Sequence, residues 1–216
     1  MHLLLTDLLT CPRCGPPFGL IVQSDRVDNR DVIEGRLGCA NCRETFVISG
    51  GVADLRHATV GALEPTASVE ADADRAFRTA ALLGIKEANR AILVADPQGV
   101  LARPVSRVLP GIHVIGAAVG QGSLPATSAD REAEAFLSQI LMGARVPLRD
   151  TSLDGMALIG IDPAPLLEEV LRTLKPGGRL LLDQVPAEMA ETLRKAGFEV
   201  HLEQEGVVVA AASDRR

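Results

Sequence analysis

The chain has 216 residues, of which 47% are hydrophobic, so it can form one α/β domain with its own core and a smaller module beside it. The formal net charge of −6 does not favour a polyanionic partner. There is no Trp, no Tyr and only five Phe, so base stacking on aromatic side chains is almost unavailable. Composition thus predicts no nucleic-acid partner, and nucleic-acid binding is the least favoured of the functions considered.

The cysteines and the hydropathy pattern indicate a protein of the reducing cytoplasm. No apolar run approaches the roughly 20 residues that a membrane span needs, so we predict no membrane association. Residues 1–7 have no basic region, and Asp7 interrupts their apolar run, which argues against a signal peptide. All four cysteines fall into two Cys-x-x-Cys pairs, and without an export signal such pairs indicate metal binding rather than disulfides.

Residues 1–57 are predicted to form a zinc ribbon. Cys11 and Cys14 form one Cys-x-x-Cys knuckle, and Cys39 and Cys42 form the other. Four thiolates in a tetrahedron suit Zn²⁺ and leave no open coordination position, so the predicted site is structural. A redox dithiol and unligated buried cysteines are the alternatives. The strands expected in this module are residues 18–22, 32–37 and 45–48, with a polar turn region at 23–31.

Most of residues 3–56 resembles the small zinc-ribbon proteins that activate methyltransferases. The resemblance rests on the Cys-Pro-x-Cys knuckle, on Leu37-x-Cys-x-x-Cys, and on residues 46–55, which read Phe-Val-Ile-Ser-Gly-Gly-Val-Ala-Asp-Leu. It implies a module that binds a methyltransferase by adding strand to strand and covers apolar surface. Because a methyltransferase-like sequence follows in the same chain, the implied interaction is partly or wholly intramolecular, and a further protein partner is expected.

The rest of the chain is predicted to be a linker followed by an α/β domain. Residues 58–68 have no periodicity and contain Gly61 and Pro65, so they are interpreted as the linker. Residues 69–216 form the domain, which begins with a helix over 69–83 that Gly84 ends. Short apolar runs alternating with helices indicate a parallel sheet covered on both faces. The strands are expected at residues 91–95, 113–116, 136–142, 155–161, 179–182, 199–202 and 207–211.

A helix–turn–strand unit supplies the most specific pattern of this domain. Residues 163–174 are predicted to be a helix with Asp162 as N-cap, residues 176–178 (Pro-Gly-Gly) a turn, and residues 179–182 a buried strand. Together with residues 146–155 and 195–198, this unit resembles the C-terminal half of class I S-adenosylmethionine-dependent methyltransferases, and the resemblance covers roughly residues 80–212. It implies a Rossmann-like α/β fold with the zinc ribbon at its N-terminal side.

The resemblance also implies three anchors for S-adenosylmethionine, and all three are altered here. In the turn after the first strand, Asp96 and Gly99 survive, but Pro97 and Val100 break the glycine-rich pattern. The second strand ends in Gly-Ala-Ala at 116–118, without a carboxylate for the ribose. The position after the third strand, residues 143–144, also has no acidic residue. A competing loop at Gly120-x-Gly122 leaves too little chain for the elements that must follow.

Two functions remain. The favoured one is a non-catalytic, methyltransferase-like scaffold with structural Zn²⁺ and only vestigial cofactor contacts at Asp96 and Gly99. The alternative is an active methyltransferase in which Asp96 and the backbone near Gly99 hold S-adenosylmethionine. No catalytic residue is predicted, because Asp162 lacks the aromatic neighbour of amino-group methyltransferases. His57, His113 and His201 are interpreted as ordinary structural or surface residues.

Overall fold

The computed structural model describes residues 1–119 and 136–213. Over these residues the chain forms eleven strands, four α-helices and two short 3₁₀ segments, Leu3–Asp7 and Ala164–Leu166. The strands are β1 Leu20–Asp28, β2 Asp31–Cys39, β3 Thr45–Ser49, β4 Val52–Asp54, β5 Ala91–Asp96, β6 His113–Ala118, β7 Leu137–Leu141, β8 Leu153–Ile159, β9 Leu174–Asp183, β10 Phe198–Gln204 and β11 Val207–Ala212. The helices are α1 Ala73–Leu83, α2 Ala102–Val108, α3 Leu167–Thr173 and α4 Met189–Lys195.

All eleven described strands belong to one sheet, in the order β1-β2-β3-β4-β7-β6-β5-β8-β9-β11-β10. The pairs from β4 through to β9 are parallel, and the three remaining pairs at the N-terminal edge and the two at the other edge are antiparallel. Side chains of β5 alternate between two cores: Ile92 and Val94 pack with α1 and α2, while Leu93 and Ala95 pack with α3, α4 and the N-terminal module. The predicted parallel sheet covered on both faces is confirmed.

The N-terminal hairpin is longer than its sequence suggested. The prediction that residues 23–31 form a turn region is wrong, because β1 continues to Asp28 and pairs with β2 almost to its end. The turn consists of Asn29 and Arg30, whose φ angles are 45° and 71°. Two consecutive positive φ angles are typical of the type I′ turn, whose twist matches that of the flanking strands. The sequence predicts a loop here because residues 23–28 are mostly polar. They form a strand all the same, since β1 lies at the edge of the sheet, where no apolar alternation is required.

Strand β4 joins the two modules, and it was not predicted from the sequence. Val52, Ala53 and Asp54 pair in parallel with Gln139, Ile140 and Leu141 of β7. The backbone N–H of Leu55 extends the pairing by donating to the Leu141 carbonyl at 2.9 Å. Ala53 and Ile140 are completely buried at this junction. The N-terminal module is therefore the edge of the same sheet, in strand-to-strand contact with the α/β domain.

The Pro-Gly-Gly segment lies inside β9 as an unpaired bulge, rather than between a helix and a strand as the sequence predicts. The expected helix over residues 163–174 is a 3₁₀ turn followed by α3, which ends at Thr173. Leu174 is already extended and pairs with Leu153, so β9 begins before Pro176 and contains the two glycines as an irregularity. Gly177 has a φ of +72°, which a side-chain-bearing residue rarely adopts. Asp162 does cap the segment, since its Oδ1 accepts from the Ala164 N–H at 3.0 Å.

Helix α1 starts later than predicted and ends where predicted. Asp72 is its N-cap, and its Oδ1 accepts from the Arg75 N–H at 2.6 Å. Gly84 closes the helix in the left-handed conformation, with a φ of 63°.

No helix of the described residues is long and apolar enough to cross a membrane.

Two histidines are buried where the N-terminus meets β6 and β7. The Ser138 hydroxyl lies 2.9 Å from His113 Nε2 and accepts from the His2 backbone N–H at 3.1 Å. His113 is 7% exposed. Burial lowers its pKa to about 4, and a proton on His2 would act in the same direction. Burial also lowers the pKa of His2. Both rings are therefore held neutral in the folded protein at physiological pH.

Acidification should destabilise the protein through His113. The folded-state pKa of about 4 lies below the unfolded value of 6.5, so the unfolded state binds the proton first as pH falls. We expect stability to decrease from about pH 6.5 to about pH 4, by roughly 3 kcal/mol for this histidine. Urea unfolding across this range should give a smaller loss for His113→Gln than for wild type. His201→Gln, at an exposed site, is the control; equal pH slopes for all three proteins would contradict the assignment.

Candidate functional site

The four cysteines form one compact cluster between the two predicted knuckles. Their Sγ atoms all lie within 4.8 Å of one another, and none forms a disulfide. The Sγ atoms of Cys11 and Cys42 are 3.7 Å apart, and those of Cys14 and Cys39 are 4.0 Å apart. A tetrahedron of thiolates at about 2.3 Å from Zn²⁺ has edges of about 3.8 Å. The cluster therefore fits zinc, and its four ligands leave no position for a substrate.

The thiols of Cys39 and Cys11 differ in how readily they ionise. Burial disfavours ionisation of Cys39, but the backbone N–H groups of Cys42 and Asn41 outweigh it and lower the pKa of this thiol to about 7. For Cys11, burial dominates and raises the pKa to about 12. A bound divalent cation would reverse that penalty, since zinc-bound thiols are deprotonated. The Asn41 amide also donates to Cys14 Sγ at 3.3 Å, which orients this ligand.

An arginine of the α/β domain holds the first knuckle in place. Arg145 Nη1 donates to the carbonyls of Pro12 and Arg13 at 2.9 and 3.1 Å. The segment that follows Arg145 continues the contact, because the Thr10 N–H donates to the Pro147 carbonyl and the Arg149 N–H to the Leu8 carbonyl, both at 2.9 Å. Docking of residues 145–149 on the zinc knuckle could not be predicted from the sequence, since the contact joins segments more than 130 positions apart.

Arg172 of α3 fixes the same segment from the other side. Its guanidinium donates to the carbonyls of Leu148 and Val146 at 2.7 and 2.9 Å. It also pairs with Glu169 at 2.6 Å and with Asp150 at 2.8 Å. Burial alone would lower the pKa of Arg172, but these two carboxylates outweigh burial and raise that pKa. The docking segment is therefore held between the ribbon and α3 by charge-assisted hydrogen bonds.

The predicted cofactor residues Asp96 and Gly99 lie in the loop between β5 and α2. Asp96 is fully buried, and its carboxylate accepts from the backbone N–H groups of Gln98, Val100 and Leu101 at 3.0, 3.1 and 3.0 Å. Burial raises the pKa of Asp96 although these N–H groups favour the charged form. Gly99 has a φ of +67°, as the tight loop requires. The carboxylate thus organises its own loop, with its oxygens directed at backbone donors.

The ends of β6 and β7 carry small apolar residues where carboxylates were expected from the resemblance. Asp96 pairs with Ala118 in the adjacent strand, so Ala118 and the following Val119 stand at the position of the ribose anchor. Gly116 packs directly on α2, since a Cβ there would lie 2.5 Å from that of Ala102. Gly143 follows β7 and is buried. The competing loop at Gly120-x-Gly122 lies outside the described residues.

The predicted linker crosses the carboxyl ends of the parallel strands. We call residues 58–69 the strap. In the strap, Pro65 forms a β-bridge with Ile161 beyond β8, and the N–H groups of Thr66 and Ala67 donate to the Gly160 carbonyl at 3.0 and 3.4 Å. Ligands of open α/β sheets bind at this edge. The sequence identified the segment as a linker but could not show its course.

A cavity of about 720 Å³ lies between the strap and the ends of β6 and β7. Val119, Met142 and Gly143 form its wall on the sheet side. Arg56, His57 and Glu64 supply its polar side chains, and the remaining lining residues belong to the strap. Arg56 is itself paired with Asp54, its Nε donating at 2.8 Å. The volume is in the range of small-molecule sites, and polar and apolar groups contribute about equally to the lining.

In its fold, the described part of the chain is a Rossmann-like α/β sheet with an N-terminal β-rich module whose four clustered cysteines fit zinc. Residues 2–51 match the family model described as Trm112p-like protein, which confirms the resemblance predicted for this segment. A comparison with curated proteins gives no match.

A solved structure supports the fold assignment of the larger part. Geranyl diphosphate C-methyltransferase from Streptomyces coelicolor A3(2), solved with Mg²⁺, geranyl diphosphate and S-adenosyl-L-homocysteine, superposes with a TM-score of 0.55 at 10% identity. The match covers 64% of this chain and 80% of that one, and it shows the fold alone. The complex between the Haloferax volcanii Trm112 methyltransferase activator and a methyltransferase also matches, with a TM-score of 0.49 at 18% identity over 67% of this chain and 89% of that one.

Proposed function

We propose that this protein is a non-catalytic, methyltransferase-like scaffold whose zinc ribbon serves its own Rossmann domain. The observation that carries the proposal is the buried Asp96 carboxylate, which is satisfied by three backbone N–H groups of its own loop. Asp96 is the one carboxylate left at the three altered anchor positions, so a cofactor would have to compete with these backbone N–H groups for it. The strap over the strand ends supports the same conclusion, because it lies where a nucleotide would enter.

The ribbon is proposed to act in cis. In activators of this kind a methyltransferase is bound by strand addition, and here β4 already pairs with β7 of the same chain. Arg145, which donates to the first knuckle, forms a second contact between the ribbon and the Rossmann domain. A ribbon with its pairing edge occupied stabilises its own domain and has no strand left at that edge for a separate enzyme. As a scaffold in the reducing cytoplasm, the protein would act through a protein partner.

The alternative is an active methyltransferase with divergent cofactor contacts, and the cavity favours it. The 720 Å³ space beside Val119 and Met142 could take part of a nucleoside without any contact to Asp96. In that case Asp96 and Gly99 would shape the loop, and S-adenosylmethionine would be held by backbone groups. A binding measurement separates the two functions.

Calorimetric titration of the zinc-loaded chain with S-adenosylmethionine and S-adenosylhomocysteine tests the proposal. We expect no binding heat and no rise in melting temperature at ligand concentrations up to about 1 mM, because a ligand that binds the folded state at 100 times its Kd would add about 2.7 kcal/mol of stability. Circular dichroism of the same sample verifies that the protein is folded. A micromolar Kd for either nucleoside would overturn the scaffold proposal and establish the alternative.

A further inference from the structure

We infer that the strap is an internal ligand of the methyltransferase-like crevice, which has become a site for an extended peptide segment of its own chain. The inference rests on the proposed function, since it names what closes the site in place of a nucleotide. Its evidence is independent of Asp96 and comes from the contacts of residues 58–69 with the ends of β7 and β8.

The strap binds through its backbone, as an added peptide strand does. The Ala144 N–H donates to the Gly61 carbonyl at 3.3 Å, and the Gly160 carbonyl accepts from both Thr66 and Ala67. At the end of the strap, the Val69 N–H donates to Gln98 Oε1 at 3.3 Å, which ties the strap to the Asp96 loop. Backbone bonds of this kind recognise an extended chain and carry little dependence on its side chains.

Two glycines that follow β7 and β8 allow the backbone of the strap to approach closely. A Cβ at Gly143 would lie 2.5 Å from the Gly61 carbonyl oxygen, a distance at which the backbone must shift. A Cβ at Gly160 would lie 3.0 Å from the Ala67 carbonyl oxygen and 3.1 Å from Val69 Cγ2, and Gly160 itself has a φ of +65°. The crevice surface is therefore shaped to the strap at both strand ends. Glycine at such positions permits close approach of another backbone.

Two apolar side chains anchor the strap, while the rest of it stays at the surface. Leu63 is 4% exposed and belongs to the core beneath the ribbon, and Val69 is 7% exposed and belongs to the core of α1 and α2. The cavity lies beside residues 61–65 of the strap, around the first of these anchors. The strap is thus held at few points, and loosening one of them should free the segment without unfolding the sheet.

The strap also leads directly from the zinc ribbon. His57 Nδ1 lies 2.7 Å from the Thr59 hydroxyl at the start of the strap, and His57 Nε2 lies 3.7 Å from Glu44 beside the second knuckle. The ring of His57 packs edge-on against Phe46, with centroids 6.4 Å apart. The position of the ribbon therefore sets where the strap begins its path across the crevice.

Hydrogen exchange of a matched pair of glycine variants tests the inference. Gly143→Ala places a methyl group against the strap, while Gly38→Ala makes the same change in β2, where the nearest atom is 4.0 Å from the new Cβ. We expect amide exchange in residues 58–69 to rise at least about tenfold in Gly143→Ala, with the sheet remaining protected, and to stay unchanged in Gly38→Ala. Leu63→Ala should have the same effect as Gly143→Ala, and it replaces that variant if Gly143→Ala does not fold.

Adding S-adenosylhomocysteine to the wild-type sample separates this inference from the proposed function. Strap amides that exchange at the wild-type rate in both Gly143→Ala and Leu63→Ala would overturn the inference, whatever the nucleoside does. Micromolar binding of the nucleoside would overturn the proposed function. If that binding also raised strap exchange in wild type, the strap would still be a ligand of the crevice, one that the nucleoside displaces.

Discussion

Removing zinc is expected to unfold the ribbon and to lower the melting temperature of the whole chain. Structural zinc contributes about 10–16 kcal/mol of apparent binding free energy in small zinc domains, which is as large as the total stability of a typical domain. Here the ribbon shares one sheet with the Rossmann domain through β4 and β7, and one core cluster includes Leu9 and Leu37 together with Ile140 and Leu148. The loss should therefore reach the α/β domain.

Chelation and Cys39→Ser are the two ways to measure this effect. Both should abolish the ribbon's β signal in circular dichroism and shift the thermal midpoint of the remaining transition downward. Thr45→Ser, an exposed position beside the same knuckle, is the matched control and should leave the free energy of unfolding within about 1 kcal/mol of wild type. An unchanged spectrum and melting curve after metal loss has been verified by elemental analysis would rule out a structural zinc site.

Replacing Asp96 by Ala is expected to destabilise the fold by about 3–5 kcal/mol, whether or not the protein binds a cofactor. Its carboxylate is the acceptor for the N–H groups of Gln98, Val100 and Leu101. The buried Leu101 donor left unpaired costs about 1–3 kcal/mol, and the two partly buried donors cost about 1 kcal/mol each. Asp96→Asn should cost less stability than Asp96→Ala. The Asn side chain keeps an oxygen that can accept from Gln98 and Val100, and only the acceptor for the Leu101 N–H is lost. Burial raises the pKa of Asp96, so the neutral amide is also spared the cost of a buried charge.

Denaturant unfolding of the three proteins gives the expected order of stability: wild type, then Asp96→Asn, then Asp96→Ala. Glu199→Ala is the control, since its side chain is 73% exposed and the change should stay within about 0.5 kcal/mol. A midpoint for Asp96→Ala equal to that of wild type would mean that water replaces the carboxylate, and hence that the crevice is open. An effect on stability of this size also means that lost activity in Asp96→Ala could not by itself identify a cofactor contact.

Patterns within single elements were enough to predict the fold class and the metal site. The spacing of Cys11, Cys14, Cys39 and Cys42 predicted the cluster, because two Cys-x-x-Cys knuckles can only meet if the hairpin between them folds back. The apolar runs predicted the parallel sheet, since strands buried on both faces have no polar alternation. The errors fell at boundaries: β1 extends further than predicted, and β9 begins at Leu174, before the unpaired Pro-Gly-Gly bulge.

The sequence by itself determined most of the strands and helices and the ligands that could hold zinc, because local spacing and hydrophobic periodicity encode both. Only the tertiary structure decided that β4 joins β7, that Arg145 clamps the knuckle, and that the strap crosses the strand ends. Each of these depends on contacts between segments distant in sequence, made largely by backbone groups that every residue carries. The turning of Asp96 toward its own loop belongs to the same category, because an acidic residue after a strand can serve a ligand or its own backbone equally well.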